Sequence, residues 1–324
     1  MHVHPLPADR DLASLPSRCR EIETSDLDGV MALLTGGFPG RNLSCWQQGF
    51  AALTARRLDA GLPRYGYVLE QGHQLVGVLL LIFAPADSVF DGPRCNVSSW
   101  YVKPEARALA HMLVKQALRI RQMTYTNISA APHTLPMMKP QGYERYSAGS
   151  FLTLPLMGGG LHRRVRAFDA ARDAASLPPE EYRLMCDHAA LGCLVLVGQD
   201  ARGLVPFVFN RAEPGRWPTD MRGTLARLRW AQLRRIPLIV ARRALRFRPL
   251  IYCRDSDDLV QFSHPLGRWL LVHHGIILVR FDAPAPPKGM IGRFSPDRDQ
   301  KFYRGLHAPR LNDLAYSEIV YFGS

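Results

Sequence analysis

The stretch best equipped for chemistry runs from Asn96 to Leu118, NVSSWYVKPEARALAHMLVKQAL. A strand runs into Pro104, and a helix opens near Ala106. Backbone N–H groups at a helix start have no internal partner, and the helix dipole adds partial positive charge there. Together they make an anion site suited to a pyrophosphate, to which Arg107 and Lys103 add full charge. Further on, His133 stands in Ala131-Pro132-His133-Thr134, just past a strand end. Imidazole titrates near neutrality and can take a proton from an attacking amine or hydroxyl. A surface-loop histidine without a role is the other reading. Cys186-x-His188-x4-Cys193 carries three metal-ligand types. No fourth ligand has an obvious source, and one helical turn does not aim all three inward. It reads as core packing, and no metal is expected.

These residues need elements to hold them. Arg18–Thr24 reads as a short strand. Ser25 or Asp26 caps a helix over Leu27–Thr35, which Gly36-Gly37 ends. Trp46, Phe50, Leu53 and Leu58 recur at helical spacing within Ser44–Leu58. Tyr65–Glu70 and Gln74–Phe83 form a hairpin around Gln71-Gly72-His73. Arg94–Val102 is a strand, Ala106–Met123 a long helix and Tyr125–Ala130 a buried strand. Pro132–Gln141 is an irregular turn or short helix, and Gly142–Leu154 returns as a strand or hairpin.

Three glycines, Gly158 to Gly160, mark the boundary. The second half repeats the plan loosely. Val165–Asp169 is a strand and Pro178–Ala190 a helix. Leu194–Gln199 and Gly203–Phe209 are strands around Asp200-Ala201-Arg202. Arg248–Cys253 is a strand, Asp257–His273 a helix and Gly275–Phe281 a strand. A Pro-rich loop follows, and Glu318–Phe322 closes as a strand.

The junction at Asn96–Met112 resembles the GNAT superfamily of acyl-CoA-dependent transferases. In that family a strand ending in Val-x-Pro precedes Arg or Gln and then x-x-Gly-x-Gly/Ala. Here Val102-Lys103-Pro104-Glu105-Ala106-Arg107 keeps the frame, while Ala110 and Met112 stand where the small residues fall. Asn127 follows the next strand, and Gly142-Tyr143 resembles the family's Gly-Phe. The resemblance covers about residues 18–156. It implies a bulged, splayed strand at Ser98, Ser99 and Trp100, with acyl-CoA held by Trp100, Tyr101, Val102, Arg107, Ala108, Leu109, Ala110 and His111. Met138 occupies the position where the family often has a tyrosine that protonates the leaving thiolate. His133 stands where the split between the strands is expected to open. The candidate catalytic residues are therefore His133, Ser99, which can hydrogen-bond the thioester or leaving sulfur, and Tyr143, with Tyr146 as an alternative acid. The matching junction of the second half reads Tyr252-Cys253-Arg254-Asp255-Ser256-Asp257-Asp258. Its aspartates cap a helix well and would repel an anion, so coenzyme A is expected on the first half only.

The chain has 324 residues, 47% apolar and 21% charged, which suits two globular domains with a core each. The expected organisation is a flexible N-terminus over 1–17, a GNAT-like acyl-CoA-binding domain over 18–157 and a degenerate GNAT-like domain over 161–324. The fold class is α/β (α+β), two tandem mixed sheets flanked by helices. Met1 to Ser17 lacks the apolar core of a signal peptide. The Leu75–Ala86 run is too short to span a bilayer as a helix, and the six cysteines form no CxxC pair. A cytoplasmic location follows. The net charge of +13 favours anionic partners. Arg222–Arg254 carries ten arginines and no acid. It suits an anionic membrane surface on the inner face, an acidic acceptor, or a solvated helix face. It shows no nucleic-acid recognition motif. The leading expectation is acyl transfer from acyl-CoA to an amine or hydroxyl on a small molecule, polysaccharide or lipid-linked acceptor. An aminoacyl or peptidyl transferase of the tandem-GNAT type, or a non-catalytic acyl-CoA sensor, is the alternative.

Overall fold

The computed structural model describes residues 16–211 and 247–323. The flexible segment expected at the N-terminus, apart from its last two residues, and the 222–246 part of the arginine-rich stretch lie outside the described residues. Strand β1 (Ser17–Glu21) leads through a 3₁₀ turn into helices α1 (Leu27–Gly37) and α2 (Leu43–Ala55). The Asn42 side chain accepts the Cys45 N–H and so sets the start of α2. Strands β2 (Gly66–Gln71) and β3 (Gln74–Phe83) form the expected hairpin, and β4 (Arg94–Val102) follows. On β3, Val78, Leu80 and Ile82 enter one core, and Leu79, Leu81 and Phe83 another. A strand covered on both faces is apolar at every position rather than at alternate ones, hence the long apolar run.

The helix expected over Ala106–Met123 is shorter. Pro104–Leu109 is a 3₁₀ stretch, and α3 covers only Ala110–Ala117. The chain turns at Gln122, with φ of 63°, which delivers Met123 to the core and starts β5 (Thr124–Asn127). Helix α4 (Leu135–Met138) and strands β6 (Glu144–Arg145) and β7 (Gly149–Thr153) follow.

The second half holds β8 (Arg164–Ala167), α5 (Ala170–Asp173), α6 (Pro179–Ala190), β9 (Leu194–Asp200), β10 (Gly203–Phe209) and β11 (Phe247–Cys253). The single helix expected over Asp257–His273 is two, α7 (Ser256–Gln261) and α8 (Ser263–His274). Pro265 has no N–H to offer the Gln261 carbonyl, so the ladder breaks at Phe262. Strand β12 (Leu278–Asp282) follows. Strands β13 (Gly292–Pro296) and β14 (Phe302–Arg304) are short, and the sequence pattern does not foretell them. The strand expected over Glu318–Phe322 is instead helix α9 (Glu318–Tyr321). The Asn96 side chain accepts the Glu318 N–H at 2.8 Å, a long-range cap that no local pattern announces.

Two mixed seven-stranded sheets result, flanked by helices, with strand orders β1-β2-β3-β4-β5-β14-β6 and β13-β7-β12-β11-β10-β9-β8. The halves trade a strand. Strand β7 precedes the boundary expected at 157–161 yet lies in the second sheet, with Phe151 opposite both Phe281 and Phe294. Strand β14 comes late in the chain yet lies in the first sheet, with Phe302 opposite both Asn127 and Arg145. The stretch expected as one strand or hairpin over Gly142–Leu154 is therefore split between sheets. One core cluster contains residues of both halves, among them Leu34, Trp46, Leu80, Leu184, Val197, Tyr252 and Phe322. No helix among the described residues is long and apolar enough to cross a membrane.

Candidate active site

Strands β4 and β5 run parallel and pair only from Arg94–Asn96 against Thr124–Thr126. Beyond that point β4 continues to Val102 while β5 ends at Asn127, so the pair splays. On its other edge β4 pairs with β3, but the register slips between Leu80↔Ser98 and Val78↔Tyr101. Ser99 sits at the slip with φ of 44°, in the left-handed region that side chains other than glycine seldom adopt. Such bulges re-aim side chains, and such strained residues cluster at functional sites. A cleft of about 410 Å³ opens at the splay.

The cleft gathers Ser99, Trp100, His133 and Tyr143, together with Asn127 and Met138. His133 is exposed at its rim, whereas Tyr143 is buried. Burial pushes the Tyr143 phenol up, so it stays protonated at neutral pH. The remaining residues expected to hold acyl-CoA lie apart. Tyr101 packs on Phe38, with ring centroids 6.4 Å apart, and Val102 is in the core. Arg107, Ala108 and His111 are exposed and Leu109 and Ala110 half-buried, while α3 lines the cleft with Val114 and Ala117 instead. The fan of free N–H groups expected at Ala106–Ala110 is partly closed. The 3₁₀ geometry ties the Ala106 N–H to the Lys103 carbonyl at 3.0 Å and the Ala110 N–H to the Arg107 carbonyl.

Two residues that sequence reasoning passes over complete the site. Glu318, from α9, is 3% exposed and lines the cleft. The Ser98 hydroxyl donates to its Oε2 at 2.5 Å, and Ser98 Oγ lies 3.0 Å from Ser99 Oγ. Burial raises the Glu318 pKa, while the Arg41 charge and the Ser98 hydrogen bond pull it back. Arg41 reaches in from the loop between α1 and α2. Its Nη1 is 3.5 Å from Ser99 Oγ, its Nη2 donates to the Gly323 carbonyl at 3.0 Å, and its guanidinium lies 5.3 Å from the Trp46 ring centroid. The one signal available was an acid inside an apolar run, Ser317-Glu318-Ile319-Val320-Tyr321-Phe322. A second cavity of about 430 Å³ lies between the sheets and shares Arg41, Ser129, Ala130 and Glu318 with the first.

The second half has a matching splay. Strands β11 and β12 pair over Phe247–Pro249 against Leu278–Arg280 and then part. Here the chain fills its own gap. Leu314 donates to the Ile251 carbonyl at 2.8 Å, Cys253 to the Asn312 carbonyl at 3.3 Å, and Tyr252 bridges Asp313. The Asn312 side chain accepts the Asp282 N–H at 2.6 Å and donates to the Asp282 carbonyl at 2.9 Å. The three aspartates expected to face an anion do not act together. Asp255 caps α7, Asp257 is exposed, and Asp258 turns inward to Arg202. His188 spends both ring nitrogens on the core. Nδ1 donates to the Leu184 carbonyl at 2.7 Å, and Nε2 accepts the Tyr316 N–H at 3.3 Å. Among the described residues no group of three His, Cys, Asp or Glu side chains is placed to hold a metal ion.

No protein-family model matches the chain, and no curated protein does. Solved structures are similar in backbone. A GCN5-related N-acetyltransferase from Kribbella flavida is 12% identical, with 90% of this chain and 71% of that one covered and a TM-score of 0.49. A putative acetyltransferase from Pyrococcus horikoshii is 9% identical, with 98% and 96% covered and a TM-score of 0.49. A GCN5-related N-acetyltransferase from Sphaerobacter thermophilus is 13% identical, with 90% and 95% covered and a TM-score of 0.45. By its own strand order the fold is α/β, two mixed seven-stranded sheets in tandem, flanked by helices. At such identities a shared backbone does not convey shared chemistry, which the cleft has to supply.

Proposed function

We propose that this protein transfers an acyl group from acyl-CoA to an amine or hydroxyl, in the cleft of the first sheet. The observation that carries the reading is the splay itself. It leaves the β5-facing edge of Val97–Tyr101 without a strand partner, beside a cleft lined by Ser99, His133 and Tyr143. Such an edge offers N–H and C=O groups to an amide-bearing chain, as pantetheine is. Arg107, exposed and outside the cleft lining, with Lys103, is the cation assigned to the phosphates of that chain. Residues 18–157 supply the acyl-CoA side and residues 161–324, with their splay filled, the scaffold and part of the acceptor side. The second cavity meets the first at Arg41 and Glu318, so the acceptor approaches from there. Bound on opposite sides of Ser99, thioester and nucleophile are held for direct attack, which removes much of the entropic cost of the encounter. Backbone N–H groups of the unpaired β4 edge other than that of Ser99, which serves Glu318, stabilise the oxyanion. Tyr143, protonated, is the donor proposed for the leaving sulfur. The basic 222–246 stretch is assigned to an anionic surface, such as the inner face of a membrane, beside a cytoplasmic enzyme.

Calorimetry with coenzyme A, together with thiol release from acetyl-CoA, tests the reading. One CoA per chain and measurable thiol release are expected. No CoA binding to the full chain would overturn it, and two equal sites would misplace the active site.

A further inference from the structure

The described residues hold one buried carboxylate that two hydroxyls connect in series to the cleft. Ser98 commits its hydrogen to Glu318 Oε2. The contact between Ser98 Oγ and Ser99 Oγ can then only be a donation from Ser99. Arg41 Nη1, at 3.5 Å from Ser99 Oγ, can donate and cannot accept. Ser99 is thus left with an acceptor lone pair at the strained bulge, in the cleft wall. Every hydrogen in this row points away from the cleft and toward Glu318.

We infer that Ser99, Ser98 and Glu318 form a proton relay in which Ser99 Oγ receives the acceptor's proton and the Glu318 carboxylate stores it. This rests on the acyl-transfer reading and gives that site its base. As the acceptor N–H or O–H attacks the thioester carbon, its proton passes to Ser99 Oγ, the Ser99 proton to Ser98 Oγ, and the Ser98 proton to Glu318. The new N–C or O–C bond forms, the C–S bond breaks, and the sulfur leaves with the electron pair as thiolate. Tyr143 or solvent protonates that thiolate. Glu318 then returns its proton through the same hydroxyls, to the Tyr143 phenolate where Tyr143 protonated the thiolate, or past the exposed His133 to solvent where solvent did, so no net proton is gained or lost. Placing the base on α9 leaves Met138 without a proton to move, the acid role falling to Tyr143. It also explains a buried acid inside an apolar run. The charged and titratable groups around Glu318 are Arg41 at the start of α2, His133 and Tyr143 across the cleft, and, across the second cavity, the Asp282–Lys301 pair with Arg280, Asp297 and Asp299. Burial outweighs the cations and keeps Glu318 above the ordinary carboxylate range, as a proton store working near neutrality needs.

The test uses the full chain. Infrared difference spectra of wild type against Glu318→Gln follow the Glu318 carboxyl with pH, with no substrate present. It should titrate above the ordinary carboxylate range, and further up in Ser98→Ala, where the hydrogen bond to the anion is gone. A titration in the ordinary range, or one that Ser98→Ala leaves in place, overturns the relay. With acetyl-CoA, thiol release should fall about 10²–10⁴-fold in Glu318→Gln and in Ser99→Gly, with CoA affinity within twofold of wild type. Glycine suits the left-handed backbone at 99, so this second variant folds even if the first does not. Ser98→Thr, which keeps a hydroxyl, should retain the acidic limb of the rate profile that Ser98→Ala loses. A Glu318→Gln or Ser99→Gly rate equal to wild type overturns the relay while leaving acyl transfer intact. Absence of CoA binding in wild type instead removes the acyl-transfer reading, and the infrared titration still decides the relay.

Discussion

Arg107 and Arg254 look equivalent in the sequence, each at the mouth of a strand-to-helix junction, yet their surroundings separate them. Arg107 is exposed, whereas Arg254 Nη2 lies 2.6 Å from Glu181 Oε2, a carboxylate 5% exposed. Arg107→Glu is expected to weaken CoA binding at low salt, with the difference from wild type shrinking as salt rises, because exposed charges are screened. Titration calorimetry at two ionic strengths checks this. Arg254→Gln is expected to leave CoA affinity unchanged and to cost stability. Removing one partner of a buried pair costs about 3–5 kcal/mol, reduced here to about 1–3 because the arginine is part-exposed. Urea denaturation measures it. Ser99, Trp100, His133 and Tyr143 were legible as candidates from residue type and motif, and the fold brings all four to one cleft. Glu318 was not legible as a site residue. Its partner Ser98 is 220 positions away in the chain, and no local spacing encodes that contact.

Among the elements, α9 depends on one glycine. A Cβ at Gly49 in α2 would come within 2.2 Å of the Phe322 ring, which packs between Trp46 and Phe50 at centroid distances of 5.1 and 5.7 Å. Gly49→Val should push α9 off this seat. Overpacking a filled core costs about 1–3 kcal/mol. Thermal unfolding reads the cost, and the turnover of acetyl-CoA should fall as well, because Glu318 moves with α9. Strands β2 to β4, β9 and β10 were plain in the sequence because hydrophobic runs bounded by turns determine them. Strands β13 and β14 escaped notice because they earn their place from partners, β7 in one sheet and β5 with β6 in the other. The short α3 and the broken α7–α8 differ from their patterns for backbone reasons, a 3₁₀ entry after Pro104 and the missing N–H of Pro265.

At the scale of the molecule, the strand trade makes the two halves one folding unit. Expressed separately, residues 18–157 and 161–324 would each carry a strand that belongs to the other sheet and lack one of their own. Each piece alone should be non-native by circular dichroism and size exclusion, while co-expression should restore a single species of native size. His188 adds a pH term to the whole. Burial lowers its pKa to about 4 from 6.5, so between these values the unfolded chain binds more protons than the folded one. Stability from this group is full above pH 6.5 and is lost as pH falls toward 4, about 3 kcal/mol in all. Denaturation of His188→Gln should show a shallower loss across that window than wild type does. By itself the sequence determined most strand and helix positions, because these follow from local pattern and turn residues; the splayed junction was an expectation of the family resemblance, and the asymmetry between the halves was expected for the wrong reason, the charge of three aspartates that do not act together. Only the tertiary structure decided which strand joins which sheet, that Asn312–Leu314 fill the second splay, and that Glu318 reaches the first. Those contacts join segments far apart in the chain, where burial and hydrogen-bond satisfaction, and not local propensity, choose the partner.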